Sequence, residues 1–157
     1  MKMIIKSFLN RLVIALVLFV MAPIGSYSII INVPGDYLTI EAALNAASDG
    51  DIVSLEAGTY TGTNNGYAID WPSTNNITLR GAGSGLTTLD AESLGRIINV
   101  GSTVDITIEG ITMTKGKISD YGGGIKLAAD DINLWLTDVV ISYCTAEGSY
   151  AGGVFCG

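Results

Sequence analysis

From Asp51 onward, short runs of alternating apolar and polar residues recur in one register, and few folds accommodate such a pattern. The first series is Val53-Ser54-Leu55-Glu56, Ile77-Thr78-Leu79-Arg80, Ile106-Thr107-Ile108-Glu109 and Leu134-Trp135-Leu136-Thr137, with starts 24, 29 and 28 residues apart. A second runs Ile69-Asp70-Trp71, Ile98-Asn99-Val100, Ile125-Lys126-Leu127 and Val154-Phe155-Cys156, spaced 29, 27 and 29. A third, weaker series is Thr88-Leu89, Ile111-Thr112-Met113 and Val139-Val140-Ile141. Three strands per period, with periods in the twenties, predict a solenoid of β-coils.

One such coil cannot bury its own apolar face. Stacking coils buries the Ile, Leu and Val ladders and pairs each strand in parallel with its equivalent, about 4.7–4.9 Å away. An antiparallel sandwich also has many short strands, but it needs hairpin turns at 8–12-residue spacing and no recurring register. The pattern therefore predicts an all-β parallel β-helix. Ile77, Ile106 and Leu134 are expected in one interior ladder, with Thr78, Thr107 and Trp135 outside. Glu56, Arg80 and Glu109 are expected side by side on successive coils as an outward charge ladder.

The stretch before Asp51 differs. Lys2, Lys6 and Arg11 precede an apolar run from Leu12 to Met21, which Pro23 and Gly25 break, and Ser26-Tyr27-Ser28 supplies small residues for cleavage. Residues 1–28 are read as a secretory signal peptide; the run is short of the roughly 20 residues of a spanning helix. Then Pro34-Gly35 marks a turn, Thr39 an N-cap, and Ile40, Ala43, Leu44 and Ala47 one buried helical face. Residues 29–157 are the N-terminal cap and first coils of one domain. They hold five Lys/Arg against fifteen Asp/Glu, a net charge of −10. Nucleic acid, which demands Lys/Arg clusters, is not an expected partner, and the mature segment has no second apolar run for membrane insertion.

Asn32-Val33-Pro34, Tyr37-Leu38-Thr39-Ile40-Glu41-Ala42-Ala43-Leu44, Asp49-Gly50-Asp51-Ile52-Val53 and Ala57-Gly58-Thr59-Tyr60 together resemble the opening of pectin-lyase-like right-handed parallel β-helix proteins. The resemblance implies a helix capping the N-terminal mouth of the solenoid and a Gly-Thr-Tyr turn where the coils begin. Tyr121-Gly122-Gly123-Gly124-Ile125 and Tyr150-Ala151-Gly152-Gly153-Val154 resemble the Gly-Gly-x-Ile half of the repeat in polymorphic outer-membrane-protein-type surface proteins. Its other half, Phe-x-x-Asn, is degraded at Ile141-Ser142-Tyr143-Cys144.

No histidine is present, which removes His-based general bases, Ser-His triads and His metal sites from these residues. Calcium-assisted lyase chemistry, which the first resemblance implies for enzymes of that group, requires clustered carboxylates and a basic side chain. The second series offers only Asp70, Asn99, Lys126 and Phe155 outward. Asp130-Asp131 is the one acidic pair in sequence after the signal segment, in a turn where Asp is a common turn former. Arg80 between Glu56 and Glu109 reads as a structural ladder. Gly81-Ala82-Gly83-Ser84-Gly85 lacks the Lys-Ser/Thr and helix of a phosphate loop and reads as a corner. Asn76-Ile77-Thr78 matches a glycosylation acceptor, though it begins a strand. Trp135 offers an exposed aromatic for stacking on a sugar or on a neighbouring side chain. Cys144 and Cys156 are read as two thiols more readily than as a disulfide, since they end different strands.

No catalytic, cofactor-binding or metal-binding residue is assigned. The sequence points to an exported protein, secreted or at the cell surface or outer membrane. Its expected role is non-enzymatic adhesion or interaction with a polysaccharide or another surface protein. A pectate-lyase-like enzyme whose catalytic residues lie beyond Gly157 is the alternative. The last strand, Val154-Phe155-Cys156, sits within a coil, so further coils are expected to cover it, and residues 29–157 alone are expected to self-associate.

Overall fold

A computed structural model of the protein describes residues 27–148 and 151–157; the signal-peptide assignment lies outside the described residues except at Tyr27 and Ser28. The fold begins with a strand that the sequence pattern does not mark, β1 (Ile30–Val33), whose Ile31 and Val33 point inward. Asp36 N–H then donates to the Asn32 carbonyl at 2.7 Å, closing the Pro34-Gly35 turn.

Helix α1 (Ile40–Ala46) follows, capped as its sequence indicates. Thr39 Oγ1 accepts from Ala42 N–H at 3.3 Å. Two more first-turn amides find partners in a loop of the first coil, residues 61–68: Ile40 N–H donates to Asn65 Oδ1 and Glu41 N–H to the Asn64 carbonyl. Those groups have no partner within any helix, so the loop helps fix the helix in place. Ile40, Ala43 and Leu44 form its buried face, and Ala47, the C-cap, is buried beyond its end.

Four coils follow. The first holds β2 (Ile52–Leu55), β3 (Gly58–Tyr60) and β4 (Ile69–Trp71); the second β5 (Ile77–Arg80), β6 (Thr87–Asp90) and β7 (Ile98–Val100). The third holds β8 (Asp105–Thr114), β9 (Lys117–Ile118) and β10 (Ile125–Leu127); the fourth β11 (Asn133–Ser142), β12 (Thr145–Ala146) and β13 (Val154–Cys156). Every pairing among these strands is parallel. One wall is β4-β7-β10-β13, and β9-β12 forms a short second sheet. The other two walls merge, because β8 and β11 run without a break through a corner that separates β5 from β6. The fold is a parallel β-helix with one short helix over its first end. Gly58-Thr59-Tyr60 is a strand of the third series, with Thr59 beside Thr88 and Tyr60 beside Leu89.

The predicted ladders are present. Ile77, Ile106 and Leu134 stack in order, the first two fully buried and Leu134 half-buried, while Thr78, Thr107 and Trp135 stack outside. The second and third series pair residue for residue as their spacing indicates. Each fully buried Ile or Leu contributes roughly 1.5–3 kcal/mol over an exposed one.

One register needs correction. Val53 lies beside Leu79 and Ser54 beside Arg80, so the first coil is shifted by two residues and Glu56 falls beyond the end of β5. A slip of one residue would turn every side chain over, whereas a slip of two leaves each on its own face. Hydrophobic alternation is therefore blind to it.

The Gly-Gly-x-Ile runs have a packing cause. A Cβ at Gly123 would lie 2.6 Å from the Thr145 carbonyl oxygen, and one at Gly124 2.6 Å from that of Gly153. Backbone meets backbone there, with Ile125 N–H donating to the Gly153 carbonyl at 2.9 Å. Only glycine permits that approach.

Candidate functional site

The outward face of the β4-β7-β10-β13 wall collects the polar and aromatic side chains most suited to contact a partner. Asp70, Asn99, Lys126 and Phe155 stack in register on it. Asn99 Nδ2 donates to Asp70 Oδ1 at 2.9 Å, and Asp70 N–H donates to Glu41 Oε2 at 3.1 Å. Helix α1 thereby extends the polar ladder by one rung.

Higher on the same wall, Lys126 Nζ bonds Asp120 Oδ2 at 2.9 Å and lies 5.9 Å from the centre of the Tyr121 ring. Tyr121 and Phe155 stack with centroids 4.7 Å apart and planes 19° from parallel. Arg96 reaches up from the coil below, its guanidinium donating to the Tyr121 and Gly122 carbonyls at 2.7 and 2.9 Å. The hydrogen bond from Lys126 leads the effects that hold the Asp120 carboxyl below the ordinary aspartate range. Asp120, Tyr121, Arg96 and Glu41 belong to this surface although no strand register points to them. All four sit on loops or the helix, and only the fold brings them to the wall.

Arg80 pairs with Glu109, Nε to Oε2 at 2.9 Å, across coils two and three. Its other outward neighbour is Ser54 and not Glu56, so the expected three-member charge ladder is a pair. Asp130 and Asp131 are exposed in the turn before β11, and the described residues contain no group of three or more Cys, Asp or Glu spaced to hold a metal ion. Gly81–Leu86 is a corner loop, as expected of the Gly81-Ala82-Gly83-Ser84-Gly85 run, but it reaches far. Ser84 Oγ donates to Asp138 Oδ1 at 2.6 Å, Ser84 N–H to Oδ2 at 3.0 Å, and Thr112 Oγ1 to the Ser84 carbonyl at 2.6 Å. The two bonds from Ser84 depress the Asp138 carboxyl.

The Asn76 side-chain amide donates to Asp49 Oδ1 at 2.9 Å, so the glycosylation acceptor atom is engaged within the fold. Trp135 is 51% exposed. Cys144 and Cys156 are free thiols; Cys144 donates to the Ser142 carbonyl, and burial pushes its pKa up. No helix among the described residues is long and apolar enough to cross a membrane. No family model, curated protein or solved structure matches the chain.

Proposed function

We propose that this chain is an exported β-helix interaction module that presents the β4-β7-β10-β13 wall to a polysaccharide or a surface protein. The observation that carries the proposal is the prearranged wall itself. Asp70, Asn99 and Lys126 are spaced at one strand interval and held by bonds to each other, to Glu41 and to Asp120, beside the stacked Tyr121 and Phe155 rings. A surface whose polar groups are already fixed loses little side-chain freedom on binding, and aromatic faces add stacking area. The likeness to pectin-lyase-like proteins and to Gly-Gly-x-Ile surface proteins supports export and surface display.

Two engaged cations argue against lyase chemistry in these coils. A general base needs an available lone pair; Arg80, on β5, is tied to Glu109, and Lys126 is tied to Asp120. Binding of the chain to an immobilised panel of polysaccharides, pectate included, and to purified surface proteins tests the proposal. Saturable binding that weakens in Lys126→Ala and Phe155→Ala, with no change in polysaccharide length, is the expected result. Unsaturated uronate products from pectate, lost in Arg80→Ala or Lys126→Ala, would overturn it in favour of an enzyme.

A further inference from the structure

Among the described residues one carboxylate is buried, and no cation faces it. Asp51, at the foot of β2, is 2% exposed. Its Oδ1 accepts from Ile29 N–H at 2.9 Å and its Oδ2 from Ser48 N–H at 2.8 Å. Its own N–H donates to the Ser48 carbonyl and its carbonyl accepts from Thr78 N–H, both at 3.0 Å. The side chain therefore leaves a backbone fixed on both sides. None of the ion pairs among the described residues includes Asp51, and residues 29–79 hold no Lys or Arg. A buried charge is costly unless it is paired. Two backbone amides satisfy lone pairs but leave the charge itself uncompensated.

The Ile29 nitrogen, 2.9 Å from Asp51 Oδ1, is a neutral amide while Ser28 is joined to it. Its position is set from the strand side. The Ile29 carbonyl accepts from Ile52 N–H at 2.9 Å, and the pairing of Ile30 with Ile52 carries the register into β1. Ser28, across the same peptide bond, is exposed, as are Tyr27 and Ile29. Ser26-Tyr27-Ser28 ends the segment read as a signal peptide, with small residues one and three places before Ile29. The cleavage pattern and the buried carboxylate thus point independently to one bond. Charged groups on the surrounding elements are otherwise engaged: Asp36 accepts from Asn32, Asp49 from Asn76 and Glu41 from Asp70 N–H, and Arg80 pairs with Glu109.

We propose that removal of the leader between Ser28 and Ile29 creates the missing cation, an Ile29 α-ammonium that pairs with Asp51 and locks β1 onto the first coil. The inference rests on the export proposed above. A signal peptidase hydrolyses the Ser28–Ile29 amide. The oxygen of water bonds the Ser28 carbonyl carbon, the C–N bond breaks, and Ser28 leaves as a carboxylate while both protons of that water end on the Ile29 nitrogen. Before cleavage Asp51 meets only neutral amides, so the leader-bearing chain folds at a disadvantage. Afterwards the first coil closes on an ion pair, and processing and folding are coupled at a single atom.

The 157-residue chain, produced in an exporting host and recovered after processing, provides the test. N-terminal sequencing should begin at Ile29. Isotopic methylation of its α-amine, followed by NMR, should show titration at least about one unit above the ordinary range of about 7.7–8.0, and a return to that range in Asp51→Asn. Should Asp51→Asn not fold, a chain with one alanine inserted between Ser28 and Ile29 decides. Its Ile29 nitrogen is again an amide able to bond Asp51, while its ammonium sits about 3.3–3.6 Å further out. A raised folded-state pKa gives stability that is fully present below the unfolded value and lost as pH rises through the folded one. The inserted chain should therefore melt below the natural exported chain at about pH 7, with the gap closing above about pH 10. A chain retained with its leader would overturn the export reading itself. A mature terminus at another residue would overturn the cleavage site. A terminus at Ile29 with an amine in the ordinary range, or equal melting of the two chains at about pH 7, would overturn the ion pair and leave export standing.

Discussion

At the first coil the interior ladders run up against helix α1, whose Ile40, Ala43 and Leu44 are fully buried. At the fourth, Leu134, Val139 and Ile141 are only half-buried and Leu136 is more exposed still. Both ends carry the same alternation of apolar and polar residues. The alternation assigns each side chain to a face, while burial depends on having a neighbour on both sides. In the middle coils every Ile, Leu and Met on the inner face of β5 and β8 reaches zero exposure.

The largest effect expected from this difference is in the core. Ile106→Ala should cost about 3–4 kcal/mol, as large-to-small changes do when the cavity is enclosed. Leu134→Ala, one rung further on, should cost about 1–2 kcal/mol because part of that side chain already meets water. Urea unfolding followed by circular dichroism measures both, and equal costs would show that the fourth coil is as well buried as the third.

Close backbone approach comes next. Gly124→Ala places a Cβ against the Gly153 carbonyl and should cost about 2 kcal/mol, in the range of strain-producing substitutions. Gly85→Ala meets nothing within 4 Å and should change stability by less than about 0.5 kcal/mol. Thermal melts of the pair separate packing from flexibility as the reason for glycine in this chain.

At the covered end, Thr39→Ala removes the cap on α1 and should cost about 1 kcal/mol. Near-complete loss of folding on that change would mean the helix governs the whole stack and not only its first coil. The smallest effect is that of acid on the middle coils. A hydrogen bond from Lys115 lowers the Asp90 carboxyl, and Lys126 does the same for Asp120. A lowered folded-state pKa gives stability that is fully present above the unfolded value, about 3.9, and lost as pH falls below it. Melting temperature should thus be flat from pH 7 to 5 and decline below about pH 4. In the Lys115→Ala, Lys126→Ala variant that decline should be shallower.

Much of this architecture was legible in residue order alone. A period of two identified the strands, and its recurrence at 24–29 residues identified the stack, because both are properties of side-chain type along the chain. Thr39 and the Ile40, Ala43, Leu44 face were equally readable. The two-residue slip at Ser54 was not, since it preserves every inside and outside assignment. β1 was missed because four residues beside a turn carry too little pattern. The wall around Lys126 was half visible: the strand positions followed from register, while Asp120, Tyr121 and Arg96 arrive from loops whose course only the folded backbone sets. The reach of Ser84 to Asp138, 54 residues apart, has no signature in sequence at all.

That last contact changes how such a stack comes apart. In a linear array where each repeat touches only the next, the ends fray one repeat at a time and the middle is indifferent to their loss. The Gly81–Leu86 loop leaves the second coil, takes a bond from Thr112 on the third, and fastens to Asp138 on the fourth. Opening the last coil therefore means releasing a group anchored two coils back. Coils two to four are joined as one cooperative unit, whose amide protons should exchange together instead of in order from the end.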